Sequence, residues 1–206
     1  MQPYFTTLLL EELETQTNSF LDEAIQQWQM MPNEKFSHQP AANAWSAKQC
    51  VAHLNSYGDY YLPAIEQAIE KAKAAKQTPQ RLFMPGRLGN YFTNMMLPAA
   101  DGRPVKKMKA FKKYIHPNNE DGDVVIATFI EQQEKMLQLL ESAAAINLES
   151  TRVGISIAPF IKLKLGDVFR FIAAHNQRHI EQARRAVGSR ESVVESRETT
   201  KASGEW

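Results

Sequence analysis

Residues 163–185 read LKLGDVFRFIAAHNQRHIEQARR, and this stretch decides the fold. Apolar residues recur at Val168, Phe169, Ile172, Ala183 and, just beyond, Ala186, the spacing of a helix that buries one face. His175 and His179 lie four residues apart on that face, so both imidazoles point inward about one turn from each other. A helix with one apolar stripe must be covered by other elements, and the rest of the chain supplies more helices.

Upstream, Ile126, Phe129, Ile130, Met136, Leu137 and Leu140 keep a helical period behind two acids, Asp121 and Asp123, either of which can cap the helix. A loop over 154–159 joins that helix to the last one, which starts near Gly166. Another helix starts at Ser46, where Ser46 and Gln49 form the S-x-x-Q pattern of a capping box. Its inner face carries Cys50, His53, Leu54, Tyr57, Tyr61, Ile65 and Ala68, and Pro63 is expected to kink it. The first helix covers 7–31, with Leu9, Leu13, Phe20, Ala24, Trp28 and Met31 on one side, and Pro32 stops it.

Residues 77–122 are irregular and rich in proline, with a short helix expected over 88–96. So long a connection is expected to be functional or a crossover. Its lysines, Lys106, Lys107, Lys109, Lys112 and Lys113, read as a solvated basic loop, with anion binding as the alternative. No strand is expected. The architecture is all-α, a four-helix bundle with a long crossover between the second and third helices. The domain spans 1–188, and 189–206 form a polar C-terminal tail expected to be weakly ordered.

The composition narrows the functions. A net charge of +1 in 206 residues advertises neither a nucleic-acid nor an acidic-membrane partner, and no helix-turn-helix signal is present. Cys50 is the only cysteine, which excludes an internal disulfide and a thiolate-based zinc site. The opening MQPYFTTLLLEELE lacks a basic region before its short apolar run, and no long uncharged apolar stretch follows, so a soluble cytoplasmic protein is expected. No Ser-His-Asp order, paired catalytic carboxylates or glycine-rich phosphate loop stands out.

Five histidines remain: His38, His53, His116, His175 and His179. His38 and His116 fall in loops beside prolines and are expected at the surface, with an approach of His116 to the site as the alternative. Three inward imidazoles are costly in an apolar core unless each has a partner. One divalent ion shared by His53, His175 and His179 would satisfy all three and leave a position open for water or substrate. Three separately hydrogen-bonded core histidines are the alternative. A nitrogen-rich site suits zinc or nickel, and iron also fits.

Two segments resemble one family. FSHQPAANAWSAKQCVAHL (36–54) is similar to the start of the second helix of the DinB-like superfamily, and LKLGDVFRFIAAHNQRHIEQARR is similar to its last helix, with its H-x-x-x-H pair. PGRLGNYF (85–92) and KKMKAFKKYIHP (106–117) resemble its crossover. The resemblance implies a metal site at His53, His175 and His179, and it matches Gln182 to the glutamine that follows the second histidine, in a ligand-supporting role. Tyr57 and Gln133 are candidate pocket residues. Relatives in that superfamily include bacillithiol- or mycothiol-dependent thiol transferases and maleylpyruvate isomerases. The resemblance therefore implies a metal-dependent thiol S-transferase or hydrolase acting on a small molecule, with a low-molecular-weight thiol as a candidate cofactor. The competing expectation is a non-catalytic, stress-associated bundle that binds metal or a small ligand, with a homodimer formed through its outer helix faces.

Overall fold

The computed structural model describes residues 2–97 and 110–202, with side chains up to 188. Lys106, Lys107 and Lys109 of the basic loop lie outside the described residues. Helix α1 spans Thr6–Glu23 and continues as a wider π turn over Ala24–Trp28. A short α2, Asn33–Phe36, follows Pro32. Helix α3 spans Ala47–Ala74, α4 Arg87–Met96, α5 Gly122–Ala143 and α6 Leu165–Ala202. Helix α6 continues past Gly188 into the polar stretch.

The capping box at Ser46 is formed: the Gln49 backbone N–H donates to Ser46 Oγ, and the Ser46 N–H donates to Gln49 Oε1. Of the two acids before α5, Asp121 caps it, accepting from the Asp123 N–H. Pro63 lies inside α3 without ending it.

The four long helices do not pack in chain order. Helix α1 packs on α5 and α6, and α3 packs on the same two, so α1 and α3 face each other across the diagonal. Cross-helix contacts give the directions. Asn55 reaches the Val125 carbonyl while Gln132 reaches Asp59, so α3 and α5 run parallel. Tyr4 meets Arg170 and Glu23 meets Arg184, so α1 and α6 run parallel too. Trp45 stacks near His179 and Tyr61 near Phe171, which makes α3 and α6 antiparallel. The order is up, down, down, up, and a parallel α3–α5 pair requires the long crossover. The α3–α6 seam brings His53 opposite His175 and His179.

Strands are present, contrary to the sequence expectation. Tyr4–Phe5 (β1) pairs antiparallel with Leu82–Phe83 (β2). Arg152–Ile155 (β3) and Ala158–Lys164 (β4) form a hairpin where a loop was expected. Val153, Ile155 and Leu163 turn inward on this hairpin, and a Cβ at Gly154 would lie 2.6 Å from the Pro159 carbonyl oxygen. Four to seven residues carry too little alternation to outweigh Gly154 and Pro159 when read in isolation. The hairpin docks on α3, where Tyr61 Oη accepts from the Ser156 N–H at 3.2 Å.

The crossover is tied down at two places. Buried Asp167 accepts from the Gly86 N–H at 2.8 Å and pairs with Arg170, which also reaches Asn90 of α4. A Cβ on Gly89 would come within 2.4 Å of Asp167 Cβ, so only glycine lets α4 approach α6 so closely. Further along, Lys48 donates to the Glu120 carbonyl, Gln49 to the His116 carbonyl and Ser46 to Asn118. These bonds stitch residues 116–120 onto the first turns of α3.

Candidate metal centre

The histidine nitrogens converge where α3 meets α6. One ligand atom from each of His53, His175 and His179 lies within 4.8 Å of the other two. His53 and His175 are 3% and 2% exposed, and His179 is half-buried. His53 Nε2 and His175 Nε2 stand 3.3 Å apart. Two nitrogens bound tetrahedrally at about 2.0–2.1 Å from one ion would be separated by roughly this distance.

Their outer nitrogens determine which lone pairs face the site. The Tyr114 carbonyl can only accept, so His53 Nδ1–H donates to it at 2.8 Å and Nε2 carries the free lone pair. His179 Nδ1 bonds Gln182 Oε1 at 3.0 Å, which leaves its Nε2 for the site in the same way. His175 Nδ1 is buried and has no hydrogen-bond partner among the described residues. Burial, more than any neighbouring charge, holds His53 down to about 4 and keeps His175 and His179 well below the usual imidazole range. All three are therefore neutral bases at pH 7, the form that ligates metal, and the donor set fits one divalent cation.

The same burial sets a pH response. The unfolded chain takes up a proton at each imidazole near pH 6.5, whereas folded His53 resists until about 4. Stability of the metal-free protein is expected to be full above about pH 6.5 and to fall steadily toward pH 4. Urea unfolding midpoints in chelator at pH 7 and pH 5 check this, and equal midpoints would contradict it.

A cavity of about 820 Å³ opens in front of the histidines. Its walls include Trp45, Tyr57, Tyr61, Phe92, Phe111 and Phe171. The Tyr57 ring lies 4.2 Å from that of His175 and 5.1 Å from that of His53, centroid to centroid. Burial, then the Tyr114 and Tyr61 phenols, pushes the Tyr57 hydroxyl above its usual range, so it stays protonated. Gln182 also lines the cavity. Gln133 sits apart from the cavity walls: buried on α5, it accepts from Asn176, the residue after His175, at 3.1 Å. Its position in the chain could not say that it would reach α6 behind the histidines.

Two residues near the centre were not assigned a part in it from the sequence. Tyr114 acts through its backbone carbonyl, which every residue possesses. His116, expected at the surface, is half-buried against α3: its Nδ1–H donates to Glu120 at 2.8 Å, and its Nε2 accepts from Ser56 Oγ at 2.6 Å. That order of groups matches an acyl-transfer triad. Ser56, however, lies in mid-helix, where the backbone N–H groups are already used within α3, so its own helix offers it no backbone oxyanion donors. The network holds the 114–116 segment in place, and through it the carbonyl that orients His53. His38 is half-buried and lies outside this cluster.

Among the described residues, no helix is long and apolar enough to cross a membrane. A family model described as the DinB superfamily matches residues 10–183. Among solved structures, YfiT from Bacillus subtilis, described as a probable metal-dependent hydrolase with an unusual four-helix bundle topology, superposes with a TM-score of 0.50. The two are 12% identical over 91% of this chain and 87% of that one, so the likeness shows the fold alone. No curated protein matches the chain.

Proposed function

The chain belongs to the DinB superfamily, and we propose that it is a metal-dependent enzyme acting on a small molecule at the His53–His175–His179 centre. One observation carries the reading: three neutral, mutually close imidazole nitrogens, two of them oriented from behind, stand at the wall of a large cavity. Histidines that merely filled a core would not need a ligand-sized space beside them.

A divalent cation held by the three nitrogens would supply a Lewis acid at an open position, where water or a thiol becomes more acidic. The protein's own contribution is positional. Tyr114 and Gln182 fix two of the rings, the aromatic walls exclude bulk water, and the Tyr57 hydroxyl stays protonated as a hydrogen-bond donor. Zinc or nickel suits an all-imidazole set best, with iron a further fit. Hydrolysis is the first expectation, because YfiT is described as a probable metal-dependent hydrolase. Thiol S-transfer with a low-molecular-weight thiol is the second. The apolar cavity favours a small-molecule partner over nucleic acid or a membrane surface.

The experiment is a turnover assay on zinc-loaded and nickel-loaded protein. One panel offers small esters and amides, and a second offers cysteine or a longer thiol with an electrophilic dye. Turnover that requires metal, and that drops to the buffer rate in His179→Ala while helical circular dichroism is kept, supports the reading. No turnover in either panel with one metal bound per chain would leave a binding protein.

A further inference from the structure

Three rungs of side chains cross the α3–α6 seam. His53 faces His179 at 4.5 Å between ring centroids, Tyr57 faces His175 at 4.2 Å, and Tyr61 faces Phe171 at 5.9 Å. The ladder follows from antiparallel helices: positions 53, 57 and 61 ascend α3 in steps of four, while 179, 175 and 171 descend α6 in the same steps. All six side chains line the cavity. From the first rung to the third is eight residues, or about 12 Å at 1.5 Å per residue.

The two ends of this ladder differ. Past the third rung stands the hairpin: Tyr60 Oη donates to the Ile155 carbonyl, Tyr61 Oη accepts from the Ser156 N–H, and β4 runs directly into α6. Ile155, Ile157 and Leu163 line the cavity there, with the Phe92 ring 6.4 Å from that of Phe171. Ser156 is polar, but its N–H is used by Tyr61 and its carbonyl accepts from Lys113 at 3.0 Å. In the other direction, past His179, the lining residues of α6 are Gln182 and Arg185. The histidines therefore stand where a polar end meets an apolar one, in a space of about 820 Å³ that suits a small molecule.

We propose that the ligands of this cavity are small molecules with a polar head at the histidines and an uncharged hydrocarbon tail. The tail runs along Tyr57, Tyr61 and Phe171 toward the hairpin, for about 12 Å. The placement of the head rests on the proposed function above, but that of the tail does not. A hydroxylated or charged tail would give up its water against these walls and find no partner. A tail longer than the trough meets Ile155 and Leu163, so the hairpin sets the limit of length.

The test uses the full-length protein and phenylnaphthylamine, an uncharged probe that fluoresces in apolar surroundings. Straight-chain alcohols from butanol to decanol displace it in chelator, and alkyl hydroxamates of the same lengths displace it with zinc loaded. Zinc content is measured in each sample. The expected result is about fourfold tighter binding per added CH₂ in both series, levelling off once the trough is full. Octanediol, hydroxylated at both ends, should bind about tenfold more weakly than octanol. Leu163→Ala should move the levelling point to longer chains. If that variant does not fold, Ile157→Asp, at a 46% exposed position on the hairpin, should weaken octyl and longer ligands severalfold and leave butyl ones unchanged. Met30→Asp, 81% exposed and away from the cavity walls, should change neither. No probe binding, a flat series, or a gain per CH₂ that Ile157→Asp leaves intact overturns the proposal. A gain per CH₂ in both series, with no advantage of hydroxamate over alcohol in zinc, would sink the metal centre and leave the tail site standing.

Discussion

Replacing His175 with leucine is expected to abolish stoichiometric metal binding while leaving the metal-free protein as stable as before, or more stable. His175 contributes one of three converging nitrogens, and its Nε2 lies 3.3 Å from that of His53. Removing it should cost more than the roughly 10–100-fold in affinity that follows loss of an outer hydrogen-bond partner. That smaller effect is the expectation for Gln182→Ala, which frees His179 Nδ1. The stability change has the opposite sign because His175 Nδ1 is buried without a partner among the described residues, and a buried polar group left unsatisfied costs about 1–3 kcal/mol. Leucine removes that group and fills similar space. Elemental analysis, with melting temperatures measured with and without zinc, reads both effects. Wild-type protein should gain about 2.7 kcal/mol at a free zinc concentration one hundred times Kd, and the variant nothing. A leucine variant that still holds one zinc per chain at wild-type affinity would refute the three-histidine assignment.

The largest loss of stability is expected from Phe129→Ala. Phe129 is 0% exposed, and its ring packs 5.4 Å from that of Trp28, which in turn lies 6.3 Å from Phe36. This cluster joins α1, the α2 turn and α5, with Val51 and Leu54 of α3 in the same core. Truncating a fully buried phenylalanine costs about 3–5 kcal/mol, a large share of the roughly 5–15 kcal/mol that holds a domain together. The cluster does not line the histidine cavity, so molecules that remain folded should keep wild-type zinc content. Urea unfolding at pH 7 measures the change. A loss under about 1 kcal/mol would mean that this half of the bundle can collapse around the gap.

Much of the molecule is legible from local pattern. The capping box at Ser46 and an acidic cap before the third long helix are properties of a few adjacent residues, and both are formed, whereas the first helix ends at Trp28, ahead of Pro32. The apolar stripes predicted on the long helices are the faces that bury Leu13, Ile65, Leu140 and Phe169. His175 and His179 could be paired from sequence because four residues is close to one helical turn. His53 could be placed on an inner face, but nothing local says that this face meets α6 and not α1. That fact comes from the diagonal arrangement, in which α3 lies against α5 and α6.

What escaped the sequence shares one cause. The β3–β4 hairpin that docks on Tyr61, the Tyr114 carbonyl that orients His53 and the Ser56–His116–Glu120 network all depend on partners many residues away. Gln133, read as a pocket residue, turned to Asn176 for the same reason. Periodicity reports which side of an element is buried, because burial depends on the residue's own hydrophobicity and on a repeat of 3.6 or 2. The sequence by itself thus determined the helices, their inward faces and the three histidines. Tertiary structure alone decided which faces met, which backbone carbonyl oriented His53 and that the arginines of α6 shared the histidines' cavity. Those outcomes are set by long-range contacts, whose geometry no local spacing encodes.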